Sequence, residues 1–247
     1  MPTYSNDGLK LHYIERGTGS PLLLLHGFGM SAQSCWHDTG IVDVLADSGH
    51  RVLALDARGH GESDKPHDPD AYQVDRMRSD VLALVEQAGI ERPAFVGHSM
   101  GGRMALNILA DRGADAGPSV IVSNGSNVFQ PSNTDAMAQA FESGDTSSLP
   151  PPVAHFVEMI TAMGGDRLAY AAYLRNPPPP LAVAQLARVA VPIQIVCGEG
   201  DPVVGDPEQL RAAIPGAALC IVGGSEHTNL LTSQKLHDTM VEWLRTG

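Results

Sequence analysis

The stretch Phe95-Val96-Gly97-His98-Ser99-Met100-Gly101-Gly102 sets a serine among glycines, directly after an apolar run and directly before a helix-like segment. Serine is a poor helix former and contributes little to a core. It reads either as a solvated hydroxyl on a glycine-rich turn or as a nucleophile held on a strained one. Residues 97–101 have the form G-x-S-x-G. On a strand–turn–helix the serine takes a strained backbone angle, and the glycines leave room for the tight crossing. The helix that follows aims its first amides and its positive end at the site, which favours a developing oxyanion. The pentapeptide alone is a weak signal. A buried strand before it and Gly-Gly plus helix after it are what the nucleophile reading demands.

The flanking sequence supplies the same alternation on both sides. Leu9 to Glu15 alternates as a half-buried strand. Pro21 to Gly27, Arg51 to Asp56, Pro93 to Gly97, Ser119 to Ser123, Pro192 to Cys197 and Ala218 to Val222 are short apolar runs of the kind buried on both faces of a parallel sheet. Between them lie helical rhythms at 32–47, 75–87, 100–110, 207–213 and 228–245. Strands alternating with helices predict an α/β fold with right-handed crossovers. Ligands in such sheets bind beyond the carboxyl ends of the strands. His26, Asp56, Ser99, Asp201 and His227 all fall at or just after those ends. The segment from 126 to 188 breaks the rhythm. It is rich in Ala, Met and Pro, with proline runs at 150–152 and 177–180, and reads as a helical insertion with helices near 133–143, 153–163 and 166–174. The expected division is a core of 1–125 and 189–247 with a cap of 126–188.

A serine hydroxyl is inert at neutral pH without a base. Asp201 lies in Gly198-Glu199-Gly200-Asp201-Pro202 after one late strand, and His227 in Gly223-Gly224-Ser225-Glu226-His227 after the last. The order Ser, Asp, His at strand ends makes Ser99 the expected nucleophile, His227 its base and Asp201 the orienting acid. His26-Gly27-Phe28-Gly29 is a glycine loop after an early strand. The backbone amides of Phe28 and Met100 are the expected oxyanion donors. His26, Gly27 and His98 are candidate pocket residues, with Met137, Met159 and Met163 as soft, pliable cap residues above them.

These motifs together, HGFG at 26–29, DARGHGESD at 56–64, GHSMGG at 97–102, GEGDPVV at 198–204 and a late histidine, resemble the α/β-hydrolase superfamily, in the branch of serine esterases, lactonases and carbon–carbon bond hydrolases with a small helical cap. The resemblance covers nearly the whole chain outside the cap. It implies an eight-stranded, mostly parallel sheet flanked by helices, a cap after the sixth strand, a Ser-His-Asp triad working through an acyl-enzyme and no cofactor. It is specific for fold and triad and not for substrate. The expected reaction is cleavage of carboxylic esters, with a lactone, a thioester or the carbon–carbon bond of a vinylogous keto acid as the alternative and a slow-turnover ligand receptor as a third reading. The anionic alternative asks for an arginine, from Arg103, Arg167 or Arg175. Family members that hydrolyse epoxides or carbon–halogen bonds carry aspartate at the elbow, so Ser99 argues against both activities. Glu226 stands where the family commonly has glycine, and its carboxylate is either solvated or acts on the imidazole. His60 reads as structural.

Composition bounds the rest. A chain of 247 residues with 43% apolar and 18% charged residues is long enough to bury roughly 70–75% of its unfolded surface. A net charge of -12 speaks against nucleic acid or an anionic membrane as partner. Cys35, Cys197 and Cys220 show no paired spacing, which fits a reducing, cytoplasmic setting. Neither a leader pattern nor an apolar run near membrane length is expected. The ten histidines show no metal-ligand spacing. Low aromatic content, 5%, with many alanines points to a roomy or flexible pocket. The expected partner is a small ester-like molecule, and the expected state a monomer or homodimer.

Overall fold

The computed structural model describes residues 2–246. Eight strands form one sheet: β1 (Thr3–Asn6), β2 (Leu9–Arg16), β3 (Ser20–Leu25), β4 (His50–Leu55), β5 (Ala94–His98), β6 (Ser119–Val122), β7 (Ile193–Gly198) and β8 (Ala218–Val222), in the order β1-β2-β4-β3-β5-β6-β7-β8. The first two pair antiparallel, as do β2 and β4, and all other pairs are parallel.

The apolar runs explain how one sheet makes two cores. Side chains alternate across a strand, so Leu22 and Leu24 of β3 point to one face and Leu23 and Leu25 to the other, all buried. The same split divides Val52 and Ala54 from Leu53 and Leu55 in β4, and Val96 from Phe95 in β5. One face is covered by α2 (Val74–Gln87), α3 (Met100–Arg112), α7 (Val183–Leu186) and α8 (Pro207–Ala213). The other is covered by α1 (Ile41–Asp47) and α9 (Gln234–Thr246). Each leucine so buried contributes about 1.5–3 kcal/mol relative to an exposed one.

A cap of α4 (Asp135–Ser143), α5 (Pro151–Ala162) and α6 (Arg167–Arg175) follows β6. It has its own apolar cluster around Phe141, Ile160, Tyr170 and Leu174, into which Tyr72 and Met77 of the core insert. Val128, Leu181 and Leu186, at the ends of segment 126–188, pack with the sheet instead.

The structure differs from the sequence reading in three places. β1 is a four-residue edge strand, TYSN, whose mixed polarity gives no buried-strand signal. The expected helix over 32–47 is interrupted by Gly40, which has φ +81°. A short turn at Gln33–His37 precedes it and α1 follows. The expected helix over 228–245 is likewise divided into a turn at Asn229–Thr232 and α9.

Candidate active site

Ser99 lies between β5 and α3 with φ +51° and ψ −109°, a conformation that costs a non-glycine residue about 1–3 kcal/mol. Its backbone is pinned on both sides. The Ser99 N–H donates to the Val122 carbonyl at 2.9 Å. Its carbonyl accepts from Arg103 N–H at 3.0 Å and from Asn124 Nδ2 at 3.1 Å. The glycines beside it are sterically required. A Cβ on Gly97 would stand 2.5 Å from the Gly101 carbonyl oxygen, and one on Gly101 would overlap the backbone of Leu25. No side chain rearrangement relieves a clash with main chain.

The structure brings Ser99, His227 and Asp201 into one hydrogen-bonded row. His227 Nε2 lies 3.0 Å from Ser99 Oγ, and His227 Nδ1 lies 2.8 and 3.0 Å from the two Asp201 oxygens. Asp201 Oδ1 also accepts from the Val203 N–H at 2.9 Å. Burial alone would raise the Asp201 carboxyl. The hydrogen bond and charge of His227, with the Val203 amide, outweigh burial and hold it below the ordinary carboxylate value. The ionised acid fixes Nδ1–H on the imidazole and leaves Nε2 facing the serine as acceptor.

His98 and His26 are built into the frame. His98 is 1% exposed and its Nε2–H donates to the His227 carbonyl at 2.9 Å, tying the serine turn to the histidine loop. Burial pushes its pKa down to about 3. His26 Nδ1–H donates to the Gly27 carbonyl at 2.8 Å and Nε2 accepts from the Ala57 N–H at 3.0 Å. Burial holds it too in the neutral form. His60 is wholly buried, its Nδ1–H on the Arg58 carbonyl at 3.1 Å and its pKa pushed by burial to about 3.

The amide of Met100 opens α3, where first-turn N–H groups have no intrahelical acceptor. Phe28 follows β3, and its ring packs on Tyr170 at 5.2 Å and Tyr173 at 5.3 Å. Phe141 and Phe156 complete that aromatic roof. The expectation of a roomy or flexible pocket rested on low aromatic content over the whole chain, and the rings are not spread evenly. Phe28, Tyr72, Phe141, Phe156, Tyr170 and Tyr173, half of the aromatic residues, gather over the site. The cavity beside it measures about 50 Å³ and is lined by His26, Met100, Arg103, Met104, Asn107 and Tyr173 among others.

Of the remaining pocket candidates, His98 and Gly27 sit behind the site: a Cβ on Gly27 would meet the His98 ring at 2.6 Å. Met137 packs against the cap cluster. Met159 and Met163 are corrected. They stand 40% and 61% exposed rather than packed under the cap. Glu226 is exposed, and its N–H donates to Asn229 Oδ1. Of the three arginines, Arg175 is engaged with Glu142 and Asp135 on the cap surface, and Arg103 lines the cavity. Sequence reasoning missed Tyr173 and Asn107. The i, i+4 spacing of Arg103 and Asn107 on α3 was the available signal. Among the described residues no cluster of His, Cys, Asp and Glu has metal-holding geometry, and no helix is long and apolar enough to cross a membrane.

An eight-stranded, mostly parallel sheet flanked by helices on both faces is the architecture of the alpha/beta hydrolase fold. Residues 20–143, half of the chain, match the model of the alpha/beta hydrolase fold family, and the chain belongs to that family. Epoxide hydrolase A of Mycobacterium tuberculosis is 38% identical over 103 residues, 41% of this chain and 31% of that protein. Matches to the curated relatives span from 18% to 37% of their lengths. In fold the chain is similar to the enol-lactonase of Burkholderia xenovorans LB400, with a TM-score of 0.78 at 24% identity, covering 99% of this chain and 100% of that one. It is equally similar to an esterase of Exiguobacterium antarcticum, with a TM-score of 0.79 at 21% identity and 97% of each chain covered.

Proposed function

We propose that this chain is a serine hydrolase of small to medium carboxylic esters. The observation that carries the reading is the row Ser99–His227–Asp201, with both hydrogen bonds at 2.8–3.0 Å and the serine strained outward at φ +51°. Ser99 Oγ attacks the ester carbonyl while His227 Nε2 takes its proton. The amides of Phe28 and Met100 donate to the oxyanion. His227 then returns the proton to the departing alcohol. Water, activated by the same imidazole, releases the acid from Ser99, and Asp201 stabilises the imidazolium at each stage. No cofactor enters these steps.

A lactone is an ester closed on itself, and the likeness in fold to an enol-lactonase keeps lactones, with thioesters and vinylogous keto acids, as the second reading of the same residues. Epoxide opening is disfavoured, because a serine-linked ether, unlike an aspartyl ester, has no carbonyl for water to attack.

Incubation with a fluorophosphonate probe, followed by mass spectrometry, tests the reading directly. Labelling at Ser99, abolished in His227→Ala, is expected. A folded protein that stays unlabelled overturns it and favours a ligand receptor. A panel of p-nitrophenyl esters, lactones and thioesters then ranks the substrates.

A further inference from the structure

The cavity of about 50 Å³ runs between α2 and α3, beneath Tyr173 and Pro178-Pro179. Its walls are largely apolar, with Leu25, Leu55, Met77, Val81, Met104 and Leu181 facing in. Two polar side chains one helical turn apart, Arg103 and Asn107, enter it from α3. Arg103 Nη2 donates to the carbonyls of Pro179 at 2.6 Å and Pro178 at 3.2 Å. Arg103 Nε is buried without a partner, and so is Asn107 Oδ1.

Among the described residues, no carboxylate is paired with Arg103. The acid in the cavity wall, Asp80, is already taken. Its oxygens accept from Arg58 Nε at 2.6 Å, from Arg58 Nη2 at 2.7 Å and from Asn6 Nδ2 at 2.8 Å. Burial pulls the Arg103 guanidinium below its usual value, against a smaller opposite effect of Tyr173. A half-buried cation with an idle N–H and no counter-charge is costly to maintain. What satisfies it is a planar anion matched to the guanidinium edge.

We propose that this cavity binds a short-chain carboxylate. Arg103 Nε–H holds one carboxylate oxygen. Asn107, with its amide turned to present N–H rather than oxygen, holds the other. The leucine and methionine walls take the alkyl chain. Met100, the residue after Ser99, borders the cavity. The carboxylate therefore belongs either to free acid, the product of ester hydrolysis, or to a substrate carrying its ester at the far end. The site does not depend on the ester reading. Its link to turnover does.

Calorimetric titration of the full chain with sodium butyrate, against neutral butyramide, tests the site. Butyrate is expected to bind at least tenfold more tightly, equally in Ser99→Ala, with the preference lost in Arg103→Gln. Equal binding of the two in the unaltered protein overturns the proposal and leaves an uncharged apolar cavity, and binding of neither overturns it and leaves a cavity that holds water only. Should Arg103→Gln not fold, Arg103→Lys keeps the charge without the Nε–H. It is expected to bind butyrate at least fivefold more weakly, and unchanged affinity overturns the proposal. Kinetics with mono-p-nitrophenyl glutarate and p-nitrophenyl valerate identify the source. A kcat/KM ratio favouring the hemiester, lost in Arg103→Gln, supports a carboxylate on the substrate. A ratio disfavouring it, with butyrate inhibiting valerate turnover, supports the free acid. Turnover of neither ester, with butyrate still bound, sinks the esterase reading and leaves the site standing.

Discussion

The serine turn and the cap are held together by different means. At residues 97–102 main chain packs against main chain, so the fit has no slack and each atom has one place. In the cap, side chains hold side chains. An aromatic cluster fills the inside, and exposed pairs such as Arg175–Glu142 at 2.8 Å tie α4 to α6 on the outside. Such exposed pairs are worth about 1 kcal/mol at most. The turn is therefore brittle and sharply specified, whereas the cap is compliant.

Acid is the broadest way to break this contrast. His26, His60 and His98 are buried and held neutral by burial, His60 and His98 with pKa values pushed down to about 3. All three stand at or just beyond the carboxyl ends of the interior strands β3, β4 and β5, whereas His155 of the cap is exposed. A histidine with a depressed folded pKa favours folding fully above its unfolded value of about 6.5, and that stability drains as pH falls toward the folded value. Each buried histidine costs on the order of 1 kcal/mol per pH unit below 6.5. Urea unfolding is expected to give a stability about 4 kcal/mol lower at pH 5 than at pH 7. Asp201, held below its ordinary value, adds to the loss only below about pH 4. A flat profile between pH 7 and 5 would mean that the carboxyl ends of the strands yield as readily as the cap.

Gly101→Ala strikes the turn itself. Its Cβ would overlap the Leu25 carbonyl group and stand 2.8 Å from the His26 carbonyl oxygen, both main chain. We expect a loss of about 3 kcal/mol or more, or no folded protein, read by thermal or urea melting. A loss under about 1 kcal/mol would show that the turn has slack after all.

Phe141→Ala strikes the cap. The ring is wholly buried and meets Phe28 at 6.2 Å and Tyr170 at 5.6 Å. The expected cost is about 3 kcal/mol, yet fluorophosphonate labelling of Ser99 should persist, because no cap residue belongs to the Ser99–His227–Asp201 row. Lost labelling in a folded variant would make cap and turn one cooperative unit.

The same contrast governs what the sequence discloses. The strands of the sheet centre were legible because each needs a continuous apolar run whose two faces both find cover. Ser99, Asp201 and His227 were legible because parallel strands deliver their ends to one edge, so position along the chain stands in for position in space. The edge strand β1 was not, since four residues paired on one side only need no apolar pattern. Asn107 was passed over, and Arg103 stood undistinguished from Arg167 and Arg175, because the burial of both depends on Tyr173 and Pro178-Pro179, some seventy residues away. The aromatic roof was hidden in an average: twelve scattered rings look sparse until the fold collects half of them.

Gly164→Ala is the smallest and the most pointed of the tests. Gly101 and Gly164 are the same residue under different constraints. Gly164 follows α5 in the cap with φ +86°, and a Cβ there would meet nothing within 4 Å. Space is free, so the cost is the left-handed backbone alone, about 1 kcal/mol by thermal melting. Gly164→Asn should cost less than Gly164→Ala, because asparagine tolerates that region better. At Gly101 the order must reverse, since there volume rather than backbone angle decides and asparagine is the larger intrusion. Finding the same order at both positions would mean that backbone angle governs the serine turn too, and the contrast between a turn fixed by close main-chain packing and a cap fixed by side chains would fail.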